Sequence, residues 1–172
     1  MKHPEFKKIS AKREWIRLGI KVAVLLLIFW ILLGVLFGIR RIDGVSMSPR
    51  VSDGDLTLFF RTNDGIDVGD VVLFTKDDKQ YVSRIVAVEN DVITLDEEGH
   101  LYINGVEHSD TPAYNLERGE PIKINYPQRL EKGKYFVIND NFESGDDSRE
   151  FGVIEKTNIY GKVISILRTR DI

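Results

Sequence analysis

The chain has 172 residues, enough for one modest domain and an anchor. Its net charge of −3 hides an asymmetry: residues 1–40 carry eight Lys/Arg against two Asp/Glu, a net +6, while residues 41–172 carry sixteen against twenty-five, a net −9. An acidic main domain lacks the clustered Lys and Arg that phosphate contacts need, which excludes nucleic acid as a partner, and the absence of cysteine excludes disulfides, Cys-ligated zinc and thiol nucleophiles.

The first element is an anchor. Val22 to Ile39 reads VAVLLLIFWILLGVLFGI, with no charge and no strong polar group. At about 1.5 Å per residue a helix of that length matches a bilayer's hydrocarbon thickness. Leu18, Gly19 and Ile20 extend it, with Lys21 able to snorkel. A core helix would show a polar face, and this stretch shows none. The expected span is residues 18–39, after a basic cytoplasmic segment of residues 1–17. Lys2, Lys7, Lys8, Lys12, Arg13, Arg17 and Lys21 precede or enter it, and only Arg40 and Arg41 follow closely. The positive-inside rule then places the N-terminus in the cytoplasm and residues 40–172 outside, in a single-pass protein of the cell membrane touching lipid. A cleaved signal peptide would have a shorter apolar region ending in a small-x-small site, absent here. An exported domain without disulfides points to a Gram-positive surface.

Beyond Arg41 the pattern becomes short strands with turn punctuation. Leu56, Leu58 and Phe60 alternate, Val71 to Phe74 follow a Val-Gly-Asp turn, and Tyr81 to Val88 is alternating and β-branched. DVITL (91–95), LYINGV (101–106) with an Asn104-Gly105 hairpin signal, KYFVIND (134–140) and NIYGKVISILRT (158–169) complete the set. No window here sustains a helical period. The expectation is an all-β domain of antiparallel strands coiled into a partly closed barrel. Residues 111–130, rich in Pro and Gly, read as its longest loop.

Three segments carry candidate chemistry. In GVSMSPRV (44–51), Ser46 sits in a turn stiffened by Pro49; most turn serines only cap backbone. In YVSRIVAV (81–88), Arg84 interrupts an apolar strand and should pair with a carboxylate. NDNFESGDDSREFG (139–152) holds five acids and one Arg. Calcium is disfavoured there, because Phe142 takes a ligand position when Asp140 opens the loop. An Asp147–Arg149 or Asp147–Arg84 network is expected instead, with no metal and no cofactor.

The order and spacing of these segments, with VGDVVLF (68–74) and the LYINGV hairpin, resemble the boxes of type I signal peptidase across the whole chain. The resemblance implies a Ser–Lys dyad protease at the outer membrane face, which cleaves after a small-x-small motif in a substrate bound as an extended strand. It places the nucleophile at Ser46, whose backbone N–H would donate to the oxyanion. It implies substrate contacts at Gly44, Met47 and Tyr81, and a supporting network of Arg84, Asp140, Gly145, Asp147 and Arg149. The lysine of the dyad falls on Ser83. A hydroxyl is no base at neutral pH, and loss of a general base typically costs about 10²–10⁴-fold. Lys76, Lys79, His100 and His108 are the alternatives. The strand rise leaves Lys79 about 13 Å from Ser83, and both histidines fall on the distal hairpin.

Other departures accompany this one. The serine that orients the lysine falls on Gly145, with Ser144 one residue away. The opening glycine of the same box is Asn139, its arginine is Phe142, and the threonine after the proline is Arg50. The chain therefore resembles the catalytically degenerate homologues of Gram-positive pilus gene clusters, which assist pilin assembly beside a sortase by binding exported or pilin peptides without cutting them. Two other readings stay open: an active signal peptidase with an unusual base, and a regulatory membrane protein that borrows only the fold. Ser83→Lys with Gly145→Ser should return some hydrolysis of a small-x-small peptide.

Overall fold

The computed structural model describes residues 5–109, 126–141 and 146–168. The long loop expected at 111–130 lies outside these up to residue 125, as do Phe142, Ser144 and Gly145. The chain divides into two units, residues 1–37 and 38–172.

The first unit is helix α1, Glu5–Leu36. Its Lys12–Leu36 part is long and apolar enough to cross a membrane: an 18-residue window within it has a mean hydropathy of 2.7, with none of that window buried. The helix starts earlier than the residue-18 boundary, because Lys and Arg are good helix formers. It also stops before Ile39: Phe37–Arg41 form strand β1.

The second unit is built from antiparallel strands. The remaining strands are β2 (Leu56–Phe60), β3 (Val71–Lys76), β4 (Lys79–Ala87), β5 (Val92–Leu95), β6 (Leu101–Ile103), β7 (Val106–Glu107), β8 (Gln128–Arg129), β9 (Lys134–Ile138), β10 (Ile154–Glu155) and β11 (Ile159–Leu167). A seven-stranded sheet runs β1-β2-β11-β3-β4-β9-β10, and a four-stranded one runs β7-β6-β5-β8. The expected antiparallel β domain is present as two sheets and is not a closed barrel: β1 and β10 end the larger one without pairing to each other. Register irregularities in the β11 and β4 pairings bend the larger sheet instead of closing it.

Local chemistry explains several joints. Asn104 and Gly105 both take positive φ, 54° and 79°, which suits the two-residue turn joining β6 to β7. In β2 the alternation of Leu56, Leu58 and Phe60 marks the half-buried face. Thr57 and Phe59 are the buried ones, and Thr57 Oγ1 donates to the Arg40 carbonyl at 3.1 Å. The single-turn helix α2, Ser148–Phe151, follows residues whose polar composition gave no helical period. It exists because Asp147 caps it: Oδ1 accepts from Arg149 N at 3.0 Å.

Three apolar clusters fill the unit. Val72, Phe74, Ile85, Val137 and Ile154 form one, and Ala87, Ile93, Leu101, Leu130 and Phe136 another. In the third, Met47 packs with Ile42, Val51, Phe59, Leu73 and Val82. The Phe59 ring passes over the backbone at Gly38 and Gly161, where an added Cβ would collide with it.

Asp147 and Arg149 form a buried ion pair, 1% and 2% exposed, with Arg149 Nε and Nη2 donating to the carboxylate at 3.0 and 2.8 Å. Asp147 also accepts from Asn139 N at 3.2 Å, tying α2 to the end of β9. Asp147→Asn leaves a buried guanidinium without its counter-charge and should lower unfolding free energy by about 3–5 kcal/mol in denaturant titration. Gly161→Ala should cost about 1–3 kcal/mol by overpacking against Phe59, and Phe59→Leu in that background should recover part of the loss.

Candidate active site

The segment after β1 is a closed loop. Ile42 N donates to the Asp55 carbonyl and Gly54 N to the Ile42 carbonyl, at 2.8 and 2.9 Å. Gly44 takes φ +104°, which favours glycine, and its N–H donates to Asp53 Oδ1 at 2.8 Å. Ser48 N donates to the Val45 carbonyl and Val51 N to the Met47 carbonyl, which folds residues 45–51 into turns. The Met47 side chain, 1% exposed, pins the loop to the core, so the expected substrate contact at this position is corrected to a core anchor.

That anchoring leaves Ser46 half-buried, facing β4. Its hydroxyl donates to the Val82 carbonyl at 3.4 Å, a long bond. The strand end after β9 clamps the same turn: Asn141 N donates to the Ser46 carbonyl at 2.8 Å and Asn141 Nδ2 to the Val45 carbonyl at 3.0 Å. The nucleophile position, β4 and residues 139–141 thus converge on a cavity of about 260 Å³. Its walls include Gly44, Ser46, Tyr81, Val82, Asn139 and Asp146. Gly44 and Tyr81, expected as substrate contacts, both belong to this wall.

Ser83 is fully buried on β4, opposite Val72 of β3. Its hydroxyl donates to Asn139 Oδ1 at 2.7 Å, and Asn139 is 2% exposed. Asn139 was legible as a departure from the family's glycine, but not as the partner of Ser83: that contact depends on β4 pairing with β9, with Arg84 opposite Ile138.

Next along β4, Arg84 does pair with a carboxylate, Asp140 rather than Asp147. Nε and Nη2 reach its two oxygens at 2.9 and 2.7 Å, and Nη1 donates to the Gly69 carbonyl at 2.8 Å. The hydrogen bond to Asp140 is the main cause of the raised Arg84 pKa. This two-pronged pair locks β4 to the strand end that carries Asn139 and Asn141. Asp147 takes Arg149 instead, so two of the segment's five acids, Asp140 and Asp147, are engaged by arginines. A second cavity of about 530 Å³ lies around Pro49, Arg50, Arg84, His108, Asn139 and Asp140, so Asn139 borders both.

No lysine or histidine is among the described residues lining the Ser46 cavity. Lys76 Nζ donates to the Val153 carbonyl at 3.3 Å and stands 5.8 Å from the Phe151 ring centre. Lys79 sits in the exposed β3–β4 turn, paired in register with Lys76. His100 contacts Asp96, and His108 borders the larger cavity. The one cation in the wall is Arg40, which donates to the Tyr160 hydroxyl and cannot lose its proton. Tyr81 is no substitute: burial, then Asp146, Asp77 and Glu150, push its pKa up and keep the phenol protonated. Asp96, Glu98 and His100 bring ligand atoms within 4.8 Å of one another, but on the hairpin of the smaller sheet.

Comparison with known proteins identifies the family. Residues 13–167 match the family described as signal peptidase, peptidase S26. Signal peptidase IB of Staphylococcus aureus is 33% identical over 170 residues, covering 87% of this chain and 86% of its own. Signal peptidase I P of Bacillus subtilis subsp. natto is 28% identical over 172 residues, covering 93% and 90%. The crystal structure of a signal peptidase I from Enterococcus faecalis V583 aligns with a TM-score of 0.42 at 23% identity, covering 59% of this chain and 98% of that one. The match over nearly the whole chain, and not one motif, places this protein in the signal peptidase, peptidase S26, family.

Proposed function

We propose that this membrane-anchored family member holds extended segments of exported proteins beside Ser46 and cleaves them poorly or not at all. The single observation that carries the reading is the Ser83 hydroxyl, buried and committed to Asn139 at 2.7 Å in the position where the family's base is expected. Forming a Ser46 alkoxide needs an acceptor for the hydroxyl proton, and that hydroxyl donates to the Val82 carbonyl, which is not a base at any working pH.

Binding does not require that base. β4 pairs with β9 only from Arg84 onward, so its Gln80–Val82 stretch borders the cavity without a β9 partner. An extended peptide laid there can take main-chain hydrogen bonds while small side chains enter the cavity. Family membership makes signal peptides of exported proteins the substrate class. The charge bias around α1 favours a cytoplasmic N-terminus and an external β domain. In that setting the protein would present pilin or other exported segments to an assembly enzyme such as a sortase, with lipid as its other contact.

The retained Ser46 supports a second reading: an active signal peptidase with a base supplied by water or substrate. The two separate in one experiment. The full chain in detergent is incubated with a preprotein carrying a small-x-small site. The expected result is no turnover, or a rate about 10²–10⁴-fold below that of an intact-dyad relative, with Ser46→Ala no slower than wild type. Robust cleavage abolished by Ser46→Ala would establish the second reading instead. On the first reading, a signal-region peptide binds wild type and Ser46→Ala with equal affinity by fluorescence anisotropy. Binding lost with Tyr81→Ala would place the peptide in the cavity described.

A further inference from the structure

We infer that Asn139 is a positioning residue that closes the base position of this site, so that the loss of the base resides in the Ser83–Asn139 pair and not in Ser83 alone. The inference rests on the reading of position 83 given above. Ser83 Oγ and Asn139 Oδ1 lie 2.7 Å apart, both residues essentially without solvent contact. That separation suits an O–H···O bond but is too short for a methylene against an oxygen. A longer side chain at 83, in the same rotamer, would place its Cγ on the present Oγ, in a close contact of 2.7 Å with Asn139 Oδ1.

Neither partner is free to step aside. The Asn139 backbone is tethered through its N–H to Asp147, itself held by Arg149. The Asp140 carboxylate on the following residue is gripped by Arg84, the neighbour of Ser83 on β4. The two positions are thus fixed from both sides, and the carboxamide fills the ground between β4 and the Ser46 cavity, of which Asn139 is a wall. Removing Asn139 alone strands a buried hydroxyl, and inserting an amine alone meets a buried carboxamide. Each single change is penalised, and the two together are compatible. The exchange of Ser83→Lys with Gly145→Ser expected from the sequence is therefore incomplete without a change at 139.

The test uses the full chain in detergent and three variants: Ser83→Lys, Asn139→Gly and the double variant. Thermal unfolding of the β domain and cleavage of a small-x-small preprotein are both read. Ser83→Lys should melt below wild type, and adding Asn139→Gly should raise its midpoint again, although Asn139→Gly lowers that of wild type. The double variant should cleave about 10²-fold or more faster than Ser83→Lys, dependent on Ser46. Its rate should rise with pH as the amine becomes neutral, a profile that a purely structural rescue would not produce. The inference is overturned if the double variant melts no higher than Ser83→Lys, or cleaves no faster. Wild-type turnover decides the reading of position 83 separately, since this comparison is made only between the variants.

Discussion

The hydrogen bond between Ser83 and Asn139 governs what the cavity can do. In a proteolytic dyad, a hydroxyl is useful only if its proton can leave at a moderate free-energy cost. A desolvated amine meets that need because burial disfavours its charged form and leaves a lone pair available. Two neutral groups sharing one proton at 2.7 Å have no comparable reserve of basicity. Ser46 stays in place, half-buried and supported by Asn141, but its environment is made of carbonyls, a protonated phenol and carboxylates. On the proposed reading that environment receives a peptide backbone, and among the described residues lining it there is no amine or imidazole to take the proton.

The rest of the β domain secures this arrangement through charge pairs at the end of one strand. Arg84 bonds Asp140 through two nitrogens, and Arg149 bonds Asp147 the same way. Between the two pairs, the backbone of Asn139 is drawn toward Asp147 and Asn141 holds the Ser46 turn. Such pairs repay their desolvation only when every donor finds an acceptor, and here the third Arg84 nitrogen reaches the Gly69 carbonyl. Their role is geometric. They fix three chain segments to within hydrogen-bonding tolerance, and that precision persists whether or not the site cuts.

The features legible in the sequence were those set by local chemistry. The apolar run that became α1, the Asn104-Gly105 turn and the pairing of Arg84 with an acid all follow from residue type and immediate neighbours. Features that depend on distant strands were not legible. Met47 looked like a substrate contact because of its place beside the nucleophile, yet its side chain turns inward to Phe59 and Leu73. Arg84 took Asp140 because β4 and β9 register Arg84 against Ile138, a choice that local sequence does not encode. Closure of the sheet was also undetermined, since alternation fixes which face is buried but not whether the outer strands meet. Helix α2 was invisible to periodicity, because four residues stabilised by one cap carry no periodic signal.

Asn139 shows how a departure can be visible before its meaning is. In sequence it is an asparagine where the resemblance has glycine, one substitution among several. In the fold its carboxamide accepts from the buried Ser83 hydroxyl, at the position the resemblance assigns to the lysine. One buried hydrogen bond thus joins a residue of β4 to the residue that follows β9, fifty-six positions along the chain. A buried hydroxyl without a partner costs about 1–3 kcal/mol, so with serine at position 83 an acceptor at 139 has a direct effect on stability. The same bond then makes return to a lysine unfavourable. Stability of the core and the chemistry of the cavity are coupled at this point: the group that satisfies Ser83 also occupies the room a base would need.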